Sequence, residues 1–289
     1  MFDIYAEVTD RIISQLEQGI IPWRRPWTGV RTGAISHSTG RPYSILNQLL
    51  LGKPGEYLTF AQAKAEGGHI KKGAKAKMVV FWKLLGVQDK DANGDPEVKT
   101  VPFLRYFQVF HIDDCEGIAP KWADKLLDVV NPSAHAEEIL TGYIDREHIT
   151  LEQVASNEAY YSPSRDLIHL PLMEQFDDQA EYYSTAFHEA AHSTGHTSRL
   201  NRIGISSRAA AFGSETYSKE ELVAEISAAS LVHECGLETP QSFKNSAAYL
   251  QSWLRALRDD KRLIVSAAGQ AEKAVRRILN ESEETPAAE

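Results

Sequence analysis

FHEAAHSTGH, residues 187–196, sits in the longer run QAEYYSTAFHEAAHSTGH, which reads as a helix. On a helix, residues four apart share a face, so His188 and His192 project together. Their imidazole nitrogens can hold one divalent ion. Glu189 follows the first histidine and can reach a water beside the ion without being a ligand. A cation lowers the pKa of such a water toward neutrality, and a nearby carboxylate can take its proton. The H-E-x-x-H pattern is the helix signature of zinc proteases. Taken alone it is short, and a solvated polar helix face explains it as well.

Catalytic zinc keeps three protein ligands and one open position. The next helical pattern, SKEELVAE at 218–225, offers Glu221 and Glu225, again four apart. An acid ligand followed four residues later by a second acid fits an arrangement in which the second carboxylate orients a ligating histidine. Glu221 is therefore expected as the third ligand and Glu225 as its outer carboxylate, with the reverse assignment as the main competitor. Ser218 and Glu221 also match a capping box, in which Glu221 would only satisfy a backbone N–H. His196 is a further candidate one turn on, but Gly195 favours a helix end there. Ser198 stands where a second protease pattern would need histidine. RDLIHL at 165–170 reads as the edge strand that could receive an extended peptide, which would put His169 and Tyr161 near the cleft. Tyr217 and His196 are candidates for the oxyanion partner. The sequence contains no P-loop, no G-x-G-x-x-G and no serine or cysteine nucleophile arrangement.

Outward from this segment the chain divides. It has 289 residues, 43% of them hydrophobic, enough for two domains with buried cores. Residues 4–18 carry apolar side chains at helical spacing. Gly19 and the prolines of IPWRRPW stop that helix. SILNQLLL and the stretch from Thr59 to Gly67–Gly68 read as short helices. AKMVVFWKLL and VPFLRYFQVFHI are rich in Val, Phe and Tyr and read as paired strands around a turn containing Asn93–Gly94. Beyond a boundary near 130, HAEEILTGYID reads as a helix and AYYSPSRDLIHLP as two short strands. Two helices fill 241–279. The fold class expected is α+β, with domains at 1–130 and 131–280 and a polar, disordered tail at 281–289.

Net charge is −9, yet from Arg11 to Lys83 twelve Lys and Arg face three acids, a local balance of +9. Such asymmetry points to a nucleic-acid surface on one side only. PWRRPW places Arg24 and Arg25 between Trp23 and Trp27. GRPYS adds Arg41 and Tyr43, and GGHIKKGAKAK adds Lys71 and Lys72. Cations that track phosphates and rings that stack on bases are the ingredients of single-stranded nucleic-acid binding. Buried tryptophans and a solvated lysine cluster are the plainer alternative. Cys115 and Cys235 lie far apart and suggest neither a disulfide framework nor a cysteine zinc site. The amphipathic start has no apolar signal core, and no apolar run could span a bilayer. Cytoplasmic location without membrane contact is expected.

These motifs together resemble the ArdC-type antirestriction proteins of conjugative plasmids and related mobile elements. The likeness runs through DIYAEVTDRIISQLEQGIIPWRRPW, TGRPYSILNQLLL, YLTFAQAKAEGGHIKKGAKAKMVVFWK and VPFLRYFQVFHIDDCEG. It continues through YYSTAFHEAAHSTGHTSRLNR, YSKEELVAEISAASL and SWLRALRDDKRLIVSAAGQAEKAVRRIL. The resemblance implies an N-terminal single-stranded-DNA-binding domain and a C-terminal zincin-like metallopeptidase domain of gluzincin or SprT-like type. It implies protection of incoming DNA from host restriction, with a host restriction enzyme and an unknown peptide as further partners. It supports His188, His192 and Glu189 as site residues, and Glu221 through EELVAE. One divalent ion is expected, zinc first, with manganese or nickel able to use the same donors. Two alternatives remain open: a DNA-associated protease acting on DNA–protein crosslinks, and a DNA-binding protein whose metal is only structural.

Overall fold

The computed structural model describes residues 3–24, 33–90, 96–122, 131–206, 215–237 and 243–282. Asp3 opens the first helix, α1 (Ile4–Glu17), by accepting from the backbone N–H groups of Tyr5 and Ala6. Val8, Ile12, Ile13 and Leu16 form its buried stripe. Gly19, at φ 74°, turns the chain out of the helix. A short 3-10 turn, Pro22–Arg24, then carries Trp23 inward.

Four strands follow in one sheet: β1 (Ala34–Ser36), β2 (Gly55–Thr59), β4 (Lys77–Lys90) and β5 (Pro96–His111), in the order β1-β2-β5-β4. The long pair β4–β5 is antiparallel, with Lys77 opposite Val109 and Lys90 opposite Pro96. Alternation then separates two faces. Met78, Val80 and Leu104 pack toward α1, while Tyr57, Val79 and Val109 form a second cluster. Between β1 and β2 runs α2 (Ile45–Leu51). Its Asn47 side chain donates to the Val80 carbonyl and accepts from the Val80 N–H, both at 2.8 Å. That amide occupies backbone groups on the β4 edge which would otherwise invite pairing. The expected start at Thr59 is present: Thr59 and Gln62 make a reciprocal capping box for α3 (Phe60–Ala65). A small ladder, β3 (His69–Ile70) with β6 (Cys115–Glu116), closes this half.

The second half begins with α4 (Pro132–Glu147) and a three-stranded sheet of β7 (Thr150–Val154), β8 (Tyr160–Ser162) and β9 (Leu167–Pro171), in the order β7-β9-β8. The segment expected as an open edge, Leu167–Pro171, is instead the central strand. It pairs parallel with β7 and antiparallel with β8, so its hydrogen-bonding groups face two neighbours, and β7 and β8 form the edges. Helices α5 (Gln179–Thr194), α6 (Ile203–Ser206), α7 (Glu215–Glu234), α8 (Phe243–Asp259) and α9 (Leu263–Leu279) complete the α+β fold. Of the polar tail, residues 283–289 lie outside the described residues.

The two halves share a core. Ile12, Leu16, Trp23 and Leu46 from the first join Leu222, Ile226, Trp253 and Leu257 from the second in one apolar cluster. Trp23 is only 4% exposed and meets Trp253 edge-on, ring centroids 5.2 Å apart. Polar ties reinforce the seam. Thr9 donates to the Lys261 carbonyl at 2.7 Å, Glu272 accepts from the Ile45 N–H at 3.1 Å, and Arg258 meets Glu17 at 2.6 Å.

Candidate metal centre

Two helices build the centre. Asp178 caps α5 by accepting from the Glu181 N–H at 2.8 Å, and the helix runs through His188, Glu189 and His192 to its cap at Gly195. Helix α7 packs alongside and brings Glu220, Glu221 and Glu225. It begins at Glu215, so Ser218 lies within the helix and is not its cap; the capping alternative for Glu221 does not arise. A Cβ on Gly195 would stand 2.7 Å from Ile205 Cγ1. That close approach of α6 is why glycine is needed there.

Nε2 of His188 and Nε2 of His192 are 3.1 Å apart. Glu221 offers one oxygen to each, at 3.5 Å and 3.3 Å. Donor atoms of these three residues all lie within 4.8 Å of one another, and no other such group occurs among the described residues. Two nitrogens each about 2.05 Å from one ion at the tetrahedral angle stand about 3.3 Å apart. The spacing therefore fits a single ion.

Behind the ligand atoms sits a second layer of carboxylates. His188 turns Nδ1 toward Glu225 at 3.9 Å, and His192 turns Nδ1 toward Glu220 at 3.4 Å. Each imidazole thus has an acid on the side away from the other, an arrangement that fixes ring orientation. Glu220 is held in turn by Arg202, at 2.5 Å from Nη2 and 3.0 Å from Nε. Arg202 also donates to Thr194 Oγ1 and to the Ala191 carbonyl. Sequence reading overlooked Glu220 and Arg202. The available signal was the doubled acid: adjacent residues on a helix point about 100° apart, so Glu220 and Glu221 can flank one histidine from two sides.

The charge balance favours a cation. Burial pushes both imidazoles down, but for His188 the hydrogen bond to Glu221 and the charges of Glu189 and Glu225 together outweigh it and raise that ring. Glu220 and Glu221 together lift His192 to about 10. Burial would raise Glu220 and Glu221, yet their histidine and arginine partners hold both below the usual carboxylate range. Glu189 is buried and adds its charge to both rings.

Nearby candidates take other places. His196 lies past the end of α5, its Nδ1 2.8 Å from Ser198 Oγ. His169 on β9 meets Glu152 at 2.9 Å and stacks on Tyr160. Tyr161 donates to Asp166, which also pairs with Arg199. The side chain of Tyr217 lies outside the described residues.

The residues expected to touch DNA separate as well. Trp23 is corrected: packed on Trp253 inside the shared core, it has no ring face to offer a base. Arg25, Trp27 and the Arg24 side chain lie outside the described residues. Arg41, Lys71 and Lys72 are exposed, and Tyr43 is half-buried with its ring edge-on to Tyr57. Lys71 donates to the Asp113 carbonyl at 2.7 Å.

Residues 2–110 match the family described as the N-terminal domain of anti-restriction factor ArdC, and residues 136–270 match the zincin-like metallopeptidase family. The metal-free crystal structure of the antirestriction ArdC protein from the R388 plasmid superposes with a TM-score of 0.75. It is 35% identical, and the match covers 98% of this chain and 100% of that one. The chain belongs to the ArdC antirestriction family. A Mn(II)-bound structure of the R388 protein matches equally well, with a TM-score of 0.75 at 34% identity over 96% of this chain and 98% of that one. The chain is also similar to the DNA primase TraC of Escherichia coli, at 35% identity over 93% of its own length but 26% of that protein's. It thus spans about a quarter of that relative. An uncharacterised protein of Sinorhizobium fredii, y4eC, is 30% identical over 94% of this chain and 90% of its own. Among the described residues, no helix is long and apolar enough to cross a membrane.

Proposed function

We propose that this ArdC-family protein acts in the cytoplasm, binding single-stranded DNA through residues 1–130 and protecting incoming DNA from host restriction. In the same proposal, residues 131–280 carry a one-metal peptidase site. The observation that carries the metal reading is the convergence of His188, His192 and Glu221 within 4.8 Å, with a separate carboxylate behind each imidazole.

His188, His192 and Glu221 would hold the ion. Their two nitrogens and one carboxylate suit zinc, and manganese and nickel accept the same set; the manganese in the R388 relative supports a divalent ion. When bound, such an ion polarises a carbonyl and makes water a better nucleophile at neutral pH. Glu189 takes the proton from that water and returns it to the leaving amine. Glu220 and Glu225 hold the two rings in register, and Arg202 keeps Glu220 charged and in place. A peptide, lying extended against an open strand edge, is the substrate class. The host restriction enzyme is a candidate protein partner.

Glu189→Gln tests the assignment. The variant keeps all three ligands, so it should bind one ion per chain as the parent does. Its cleavage of peptide or protein substrates should fall by at least about 100-fold, the scale of losing a general base. Full cleavage by the variant would remove Glu189 from the chemistry. Full antirestriction without cleavage would remove proteolysis from the protection.

A further inference from the structure

The four-stranded sheet has one face turned away from α1. Ala34, Tyr57, Val79 and Val109 form its buried floor, with Tyr43 and Phe81 resting on it. Phe81 and Phe107 are diagonal neighbours across β4 and β5. Their ring centroids are 5.3 Å apart and their planes stand at 80°. Phe107 remains 37% exposed. Arg105 lies directly opposite Phe81 in the ladder and Lys77 lies opposite Val109, and both are exposed.

Strand alternation puts the strand residues among these on one side, and Tyr43 packs against the same cluster. The register extends the same side to Ser36, Thr59 and His111. Along this face from Lys77 to Phe81 on β4 and from Arg105 to His111 on β5 there is no carboxylate; its acids, Asp89 and Glu97, stand opposite each other eight residues farther along the ladder. An aromatic pair flanked by cations, with the face's acids set apart at the far end of the ladder, calls for a ligand that is flat, π-rich and negatively charged. Nucleotides of a single strand meet all three demands: every base has a face to stack, and every link carries a phosphate. Four-stranded sheets with exposed aromatics serve this purpose in RNA-binding modules. A duplex hides its base faces and would gain only from the cations.

We infer that Phe81 and Phe107 form a stacking platform for the bases of single-stranded DNA, with Arg105 and Lys77 reaching the phosphates beside them. Tyr43 continues the platform toward β2, where exposed Arg41 follows β1 on the approach. The inference rests on the single-stranded-DNA reading above and gives it a location that the tryptophan-arginine segment does not.

The test uses the full chain and a fluorescein-labelled oligothymidylate, read by anisotropy at fixed salt. Phe81→Ala with Phe107→Ala should weaken binding by about tenfold or more, the scale of lost base stacking. Phe107→Leu keeps the apolar bulk of an exposed position and removes the π-face. It should retain the parental melting temperature while weakening binding in the same direction. An oligonucleotide with abasic sites should bind the parent more weakly and bind the double variant with little further loss. Parental binding that is unchanged in both phenylalanine variants overturns the platform while leaving DNA binding intact. A parent that binds no oligonucleotide overturns the DNA reading and the platform together.

Discussion

The metal centre and the open face of the sheet hold their side chains by different means. At the centre, His188 and His192 each contact Glu221 on one side and a separate acid on the other. One of those acids is clamped by buried Arg202. On the sheet, Phe81, Arg105 and Phe107 owe their positions to backbone register, and their outer surfaces meet solvent. The first arrangement fixes one geometry for one small ion. The second, on the reading proposed above, would offer a row of similar contacts to any single strand of the right charge and flatness. Selectivity by tight placement and tolerance by repetition sit in the same chain.

Substitutions sharpen this contrast, beginning with the most severe. His188→Ala or His192→Ala should abolish stoichiometric metal binding, measured as metal per chain after desalting, and leave oligonucleotide affinity unchanged. Loss of both together would mean that the two regions are not independent. Trp253→Ala should destabilise the whole chain by about 3–5 kcal/mol through the cavity it opens against Trp23. One cooperative melt, lowered as a unit, is expected; two separate transitions would show that the halves unfold apart. Glu220→Gln should weaken metal affinity by about 10–100-fold, as loss of an outer carboxylate does, in a competition titration with a chromogenic chelator. An unchanged affinity would make Glu220 a purely structural partner of Arg202.

Asp166 gives a milder, pH-dependent effect. Burial raises its carboxyl, but Arg199 and Tyr161 outweigh that and hold it below the ordinary value. A depressed folded-state pKa contributes stability above the unfolded value, near pH 4, and that contribution disappears as pH falls through the folded value. Asp166→Asn should lower stability at neutral pH by about 1–3 kcal/mol and flatten the acid side of the melting curve. The site's left-handed φ of 46° suits asparagine. The smallest change expected is on the sheet side. Arg41→Ala should reduce the slope of log affinity against log salt by about 0.7, the share of one phosphate contact on a single strand.

Sequence revealed most where spacing alone sets geometry. Histidines four apart on a helix must share a face; Glu221 was expected from the paired acids of EELVAE, and the packing of α7 on α5 brings it to them. The β4–β5 hairpin and the Thr59 capping box were legible for similarly local reasons. Parallel pairing was not. β7 joins β9 across an intervening strand, and no local pattern announces that partner, so a central strand looked like an edge. Trp23 was misread because the residue that buries it, Trp253, lies far along the chain. Glu220 was passed over because its role depends on Arg202, which arrives from the loop between α5 and α6.

Helix α7 carries a consequence for inheritance. One side presents Glu220, Glu221 and Glu225 to the histidines, while Leu222, Val223 and Ile226 enter the cluster built with α1 and Trp23. A recombination that joined the first half of one family member to the second half of another would have to preserve that fit as well as reading frame. The two family regions should therefore descend as a single cassette, with changes near Trp23 answered by changes on α7 and α8.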